Sequence, residues 1–254
     1  MKLLTLNTHS LIEQNFQSNI KVLANAIVSK NIEVIALQEV MQTISENALN
    51  EDNYAKLLVN ELKEKGCEYN LVWHGFKKSY NKFEEGLAIV SKHKIEAKAI
   101  ITLTPFDDYN NWKTRKSIGV KINNKWYFCV HMGWWDDNQA PFMNQFQKLL
   151  SELPQNEEIY LMGDFNSEAE EREKGYDYVI KNGFYDTYTL AQEKDDGTTA
   201  HSQIDGWEKE QKLRKMRIDY IFTNRKQKIL SSHTIFNGIN EKIISDHYGI
   251  IVTL

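Results

Sequence analysis

Three apolar runs in this chain stop at residues that can hold a cation or a proton. Leu161-Met162-Gly163 leads into Asp164-Phe165-Asn166, residues 2–6 lead into Asn7, and residues 34–37 lead into Gln38-Glu39. A fourth cluster, Ser245-Asp246-His247, precedes the closing apolar run. Short apolar runs bounded by polar residues read as buried strands. Carboxylates and amides at strand ends suit a hard cation and phosphate oxygens, and an acid beside an imidazole can activate water. Asn7, Glu39, Asp164 and the Ser-Asp-His cluster lie far apart in the chain, so they predict one site assembled from both halves of a single fold.

Between these runs, helix and strand signals alternate. Ile20, Leu23, Ala24 and Ile27 fall at helical spacing and predict a helix over 17–29. Tyr54, Leu57, Leu58 and Leu62 predict a second helix, starting near Glu51 or Asp52 and stopped by Gly66. Strands are expected at 69–73 and 86–90, separated by a polar, lysine-containing loop, and the strand-rich pattern continues over 95–103. A polar loop at 106–116 follows. Asn123-Asn124 between runs 117–122 and 126–130 is a hairpin signature. In the second half, Phe142, Phe146, Leu149 and Leu150 share a helix face, with Pro141 in its first turn. A strand at 158–162, a short helix at 172–180 and a turn or helix at 186–190 come next. The polar segment 192–212 is expected to loop over the site, before closing strands at 217–223, 229–235 and 248–254.

At 254 residues, with 41% apolar and 26% charged residues, the chain has ordinary globular composition. Three prolines and no Ser/Gly/Pro-rich linker favour one domain over 1–254. A net charge of -4 argues against gripping long nucleic acid mainly by charge. Cys67 and Cys129 lie in different segments, and Cys129 sits inside an apolar run, so no disulfide framework is expected. The N-terminus lacks a signal-peptide layout, and no run approaches the ~20 apolar residues of a membrane span. A soluble, cytoplasmic protein is the expectation.

The ordered set Asn7, Gln38-Glu39, His131, Gly163-Asp164-Phe165-Asn166, Arg217-Ile218-Asp219-Tyr220 and Ser245-Asp246-His247 resembles the endonuclease/exonuclease/phosphatase superfamily over nearly the whole chain. The resemblance implies a four-layer α/β/β/α sandwich of two packed mixed sheets, with the site at one end, and Mg²⁺- or Mn²⁺-dependent phosphoester hydrolysis. It further implies Glu39 as metal ligand, Asn7 contacting the metal or its water, and Asp246 assisting that water. By the same resemblance Asp164 and Asn166 orient the attacking water and a phosphate oxygen, and Asp219 pairs with His247. His131 resembles the histidine of the secreted DNase and sphingomyelinase branches, which pairs with an acid. Glu85 is its expected partner here, with Glu84 as second choice.

The substrate is only half readable. Trp112, Trp134, Trp135 and Trp207 fall in expected loops and suit stacking on a sugar ring or a nucleobase. Arg115, in Trp112-Lys113-Thr114-Arg115-Lys116, is the favoured phosphate clamp because its rigid fork can bind two oxygens. Lys77-Lys78 reads as ordinary surface. His131-Met132-Gly133-Trp134-Trp135, Asp186-Thr187-Tyr188 and Ile204-Asp205-Gly206-Trp207 resemble a bacterial subgroup similar to the maltose 6'-phosphate phosphatases of Gram-positive bacteria. That resemblance implies a small sugar phosphate as substrate, with no stable nucleic-acid partner, no membrane and no obligate protein partner. A Mg²⁺-dependent DNA endonuclease or exonuclease and a sphingomyelinase-like phosphodiesterase remain the alternatives.

Overall fold

The structure, a computed structural model, describes residues 1–45, 48–201, 204 and 214–254. β1 (Lys2–Asn7) and β2 (Val34–Thr43) run parallel, joined by α1 (Phe16–Lys30). Ile20, Leu23, Ala24 and Ile27 form the buried face of α1, as their spacing predicts. α2 (Tyr54–Glu64) begins where the Asn53 side chain accepts the amides of Ala55 and Lys56. The chain turns away beyond it at Gly66, whose φ of 77° favours glycine.

The antiparallel hairpin of β3 (Asn70–Ser79) and β4 (Phe83–Ser91) comes next. Both strands are longer than their apolar cores suggest. Tyr80 and Asn81, at φ 50° and 53°, make a tight turn where the sequence pattern indicates a polar loop. This extension brings Lys77 opposite Glu85, which later matters at the site.

β5 (Ala97–Thr102), β6 (Lys116–Ile122) and β7 (Lys125–His131) form a meander, and Asn123-Asn124 make its second turn with both φ positive. α3 (Phe142–Glu152) carries the chain to β8 (Glu158–Asp164), parallel to β7. Pro141 stands just before α3 as its cap residue. After α4 (Gly175–Lys181), β9 (Tyr185–Asp186) and the single turn α5 (Thr187–Leu190) lead to β10 (Ala191–Lys194). β11 (Ala200–His201) pairs with β12 (Lys215–Met216), and β13 (Asp219–Thr223) lies antiparallel to β8. β14 (Ile229–Ile235) and β15 (Gly249–Thr253) end the chain.

Among the described residues, the first large sheet has the order β10-β14-β15-β1-β2-β4-β3 and the second β5-β6-β7-β8-β13-β9. Leu3, Val34, Ala36 and Ile89 of the first meet Ile118, Tyr127, Met162 and Ile221 of the second in a shared core. α1 and α2 cover the outer face of the first sheet, through Leu23, Ile27, Leu58 and Leu62. Phe142, Phe146 and Leu149 of α3 and Val179 of α4 cover the second. The result is the α/β/β/α sandwich, and β1, β2, β7 and β8 all run in it toward one rim. Cys129 is buried at the sheet interface, where Gln38 donates to its Sγ at 3.1 Å and burial pushes the thiol up to about 12. It is a packing residue. No helix among the described residues is long and apolar enough to cross a membrane.

Candidate active site

The rim of the sandwich collects acids from both sheets. Asn7, at the end of β1, donates through Nδ2 to Glu39 Oε1 at 3.0 Å and to Asp164 Oδ2 at 3.2 Å. One amide therefore bridges the two sheets. Glu39 is not at a strand end, as the sequence pattern suggests. It lies within β2, at a bulge where the pairing with β4 slips between Leu37 and Val40. Its φ of 53° is the strained conformation that re-aims one side chain out of a ladder. Asp164 ends β8 after Gly163, whose φ is 152° and where a Cβ would meet the Val130 carbonyl oxygen at 1.9 Å. Only glycine lets β8 approach β7 this closely. Asp164 Oδ1 accepts the Asn166 amide at 2.8 Å, and Asn166 donates through Nδ2 to the Met132 carbonyl at 3.0 Å.

Asp219, the first residue of β13, is fully buried and in register with Asp164. Its Oδ2 is 3.0 Å from His247 Nδ1, so the carboxylate fixes the imidazole. Ser245 ties the segment carrying His247 to β1, donating through Oγ to the Asn7 carbonyl at 2.7 Å. His247 Nε2 stands 3.9 Å from Asp164 Oδ2, and His131 Nε2 stands 3.7 Å from the same oxygen. Burial works against charge on His247, but Asp219, Asp164 and Asp246 outweigh it and hold the imidazolium well above the usual histidine range. His131 is the reverse case: burial, then Arg115, Lys77 and His247, keep it well below that range and neutral. Asp164 is raised to about 7 by burial and by Asp219, with His247 pulling the other way.

His131, His247, Asp164 and Asn166 line a cavity of about 350 Å³ that is also lined by Glu39, Lys77, Glu85, Arg115, Trp112, Trp134 and Asp246. Glu85 is in the cavity but is not the acid on His131. It faces Lys77 across the β3–β4 ladder, and their charged atoms are 2.9 Å apart. Glu84 turns elsewhere and accepts from Gln42 at 3.0 Å. The acid nearest His131 is Asp164. Lys77, far from ordinary surface, is only 5% exposed. Phe76, buried inside an otherwise polar stretch, and the Tyr80-Asn81 turn were the sequence signals for the longer strand that delivers it.

The aromatics divide. Trp112 and Trp134 meet edge to face with ring centroids 5.8 Å apart and line the cavity. Trp135 instead packs on Phe142 and Tyr178, at 6.0 and 5.9 Å, beside the helices on the outer face. Adjacent residues in one bend point opposite ways, which explains the correction. Trp135→Ala is accordingly expected to cost about 2 kcal/mol of stability, read from a urea melt, without changing KM. Trp134→Ala should do the opposite, raising KM several-fold with stability nearly unchanged. Trp207 lies outside the described residues, as do 202–203 and the rest of 205–213 in the polar segment around it. The described part of that segment runs beside His247: Ala200 bridges to it, and Thr199 Oγ1 accepts the Ile218 and Asp219 amides.

The donor set suits a hard divalent cation. Glu39 opens toward the cavity yet is otherwise enclosed by protein. That desolvation, followed by the carboxylates of Glu85 and Asp246, raises it to about 7. Oxygen ligands repelling one another across a cavity are what Mg²⁺ or Mn²⁺ relieves. His9, which the sequence pattern does not single out, stands beside this group, with Nδ1 3.0 Å from Glu13 Oε1 and 3.9 Å from Asp246 Oδ1.

A stability profile follows from these shifts. Glu39 and Asp164 hold protons to about pH 7 in the fold but only to about pH 4 in an unfolded chain. The unfolded state binds fewer protons, so metal-free stability falls as pH rises through that interval, until both acids are ionised. His247 has the same sign: its contribution is complete below about pH 6.5 and is lost as pH climbs toward its raised folded value. His131, held neutral, acts oppositely but only below about pH 6.5. From pH 6.5 to 8, stability in chelator is expected to fall by on the order of 1 kcal/mol per pH unit. Mg²⁺ should flatten the slope. Urea midpoints with and without Mg²⁺ test this, and a flat profile in chelator would remove the charge argument.

The family model described as endonuclease/exonuclease/phosphatase matches residues 4–247. A solved structure of an endonuclease/exonuclease/phosphatase family protein from Leptotrichia buccalis C-1013-b is 33% identical, with a TM-score of 0.91, covering 100% of this chain and 98% of that one. A mannosyl-6-phosphatase from Bacteroides thetaiotaomicron VPI-5482 is 18% identical, with a TM-score of 0.70, covering 99% of this chain and 98% of that one. Truncated TDP2 from Caenorhabditis elegans is 18% identical, with a TM-score of 0.62, covering 99% and 95%. These last two share the fold. No curated protein matches the chain in sequence.

Proposed function

The chain belongs to the endonuclease/exonuclease/phosphatase family, and from that premise we propose that it is a divalent-metal-dependent phosphoester hydrolase, namely a phosphatase acting on a sugar phosphate such as maltose 6'-phosphate. The observation that carries this reading is the cavity itself. Acids line it together with the cations Lys77 and Arg115, and Trp112 and Trp134 form a wall suited to a sugar ring. The mannosyl-6-phosphatase that shares the fold supports the substrate class by analogy.

Glu39, with Asn7 and Asp246, would hold Mg²⁺ or Mn²⁺, which when bound supplies charge neutralisation on a phosphoryl oxygen. Asp164 orients the attacking water through Oδ2 and takes its proton, since a carboxylate titrating near 7 is matched to neutral pH. Asn166 keeps Asp164 in place through the amide bond to Oδ1. Asp219 holds the His247 imidazolium, whose positive charge faces Asp164 and the phosphoryl group and stabilises negative charge developing there. His131, neutral, donates a hydrogen bond to a phosphoryl oxygen without adding charge. As water adds to phosphorus, the P–O bond to the sugar breaks and the leaving oxygen takes up a proton, giving free sugar and inorganic phosphate. The protein acts as one domain in the cytoplasm, with no obligate protein partner and no stable nucleic-acid partner.

The test is phosphate release from maltose 6'-phosphate, other sugar phosphates, nicked or abasic DNA and sphingomyelin, with Mg²⁺ and with chelator. Metal-dependent release from sugar phosphates with inert DNA is expected. Efficient DNA or sphingomyelin cleavage with inert sugar phosphates would overturn the reading.

A further inference from the structure

Two buried cations meet in the lining of the cavity. Lys77 Nζ and Arg115 Nη1 donate to the same acceptor, the Trp112 carbonyl, at 3.2 and 2.9 Å. Their charges are thereby held close together. Both side chains are almost fully buried and both line the cavity. Arg115 Nε is buried and hydrogen-bonds to nothing among the described residues. Glu85 is the carboxylate in contact with Lys77. Glu85 offsets part of this charge, which leaves two cations against the one carboxylate in contact, so an incoming anion meets net positive charge here.

The neutrality of His131 belongs to the same picture. Although Asp164 Oδ2 stands 3.7 Å from its Nε2, burial and the nearby Arg115 and Lys77 hold it uncharged. The positive charge here therefore comes from Lys77 and Arg115 rather than from this imidazole.

We propose that Lys77 and Arg115 form a subsite for the outer oxygens of a phosphomonoester dianion, and that Lys77 makes this chain select monoesters over diesters. The inference rests on the phosphatase reading and adds the charge state of the group recognised. A monoester dianion presents three unesterified oxygens, enough to face a cation held by Glu39 and still engage both Lys77 and Arg115. A diester has two such oxygens and half the charge, and its second ester group would have to enter between Lys77, Arg115 and the Trp112 carbonyl. That desolvates both cations while bringing only a single negative charge to them.

The test uses the Mg²⁺-loaded protein and calorimetric titration with inorganic phosphate and with dimethyl phosphate at pH 8, which reads binding without turnover. Wild type should bind phosphate at least about 10-fold more tightly than dimethyl phosphate. Lys77→Gln should weaken phosphate about 10- to 100-fold and leave dimethyl phosphate unchanged. Because removing one member of a buried pair strands Glu85, Lys77→Gln/Glu85→Gln is measured in parallel and should show the same selective loss. In turnover, p-nitrophenyl phosphate should lose about 10²-fold in kcat/KM in both variants, with bis(p-nitrophenyl) phosphate unaffected. Equal losses for both anions, or unchanged phosphate binding in the folded double variant, would overturn the proposal. Dianion selection by Lys77 together with inert sugar phosphates would leave it standing and remove the sugar-phosphate reading instead.

Discussion

Asp164→Asn is expected to lower kcat about 10³- to 10⁴-fold while leaving the fold intact. The substitution is nearly isosteric and keeps an oxygen for the Asn166 amide, the 2.8 Å contact that anchors the side chain. What it removes is the charge at Oδ2. That oxygen accepts from Asn7 at 3.2 Å and stands 3.7 and 3.9 Å from His131 and His247. An amide there can orient a water but cannot take its proton. Burial and Asp219 raise the carboxyl to about 7, so the wild-type rate should climb as the pH passes through that value, and the variant should lose this dependence. Stability should rise in the variant above pH 7, because the raised acid no longer has to ionise beside Asp219. A variant retaining more than a tenth of wild-type kcat would refute the proposed role.

Glu39→Gln has the second largest expected effect, and again activity and stability move in opposite directions. Half-maximal activity should require at least about 10²-fold more Mg²⁺, since an amide is a poorer oxygen ligand for a hard cation. In chelator the variant should be more stable than wild type by about 2 kcal/mol above pH 7, a figure reduced for the side of Glu39 that opens to the cavity. The gain arises because the wild-type carboxylate is enclosed beside Glu85 and Asp246. Saturating Mg²⁺ should erase it. A merely structural Glu39 would give neither the shifted metal requirement nor a stability gain that disappears with metal.

The clustering of these residues was legible because each follows an apolar run, and burial of the run fixes where its polar end emerges. Asp164 at the end of β8 and Asn7 at the end of β1 are of this kind, whereas Asp219, which precedes the apolar run of β13, was indicated by the family resemblance. Glu39 was found for the same reason but misplaced. A bulge leaves the apolar pattern on both sides intact, and only the slipped pairing with β4 and the positive φ reveal that the strand continues. Lys77 escaped because a lysine pair in a polar stretch reads as solvated surface. Its burial depends on Glu85 across the ladder and on the Trp112 carbonyl from a distant loop, neither of which is a local property. The pairing of His131 with Glu85 failed for the same physical reason: Lys77, absent from the expectation, stands opposite that acid. Trp134 and Trp135 show the limit at a single bond, since neighbours in a bend share composition but not direction.

In the proposed reaction a water meets phosphorus directly, opposite the leaving sugar oxygen, with no side chain acting as nucleophile. A sugar phosphorothioate made chiral at phosphorus with oxygen isotopes, hydrolysed in isotopically labelled water with Mg²⁺, reports that geometry. Inversion at phosphorus is the predicted result. Retention would mean two displacements through a phosphorylated side chain, and would contradict the role assigned to Asp164.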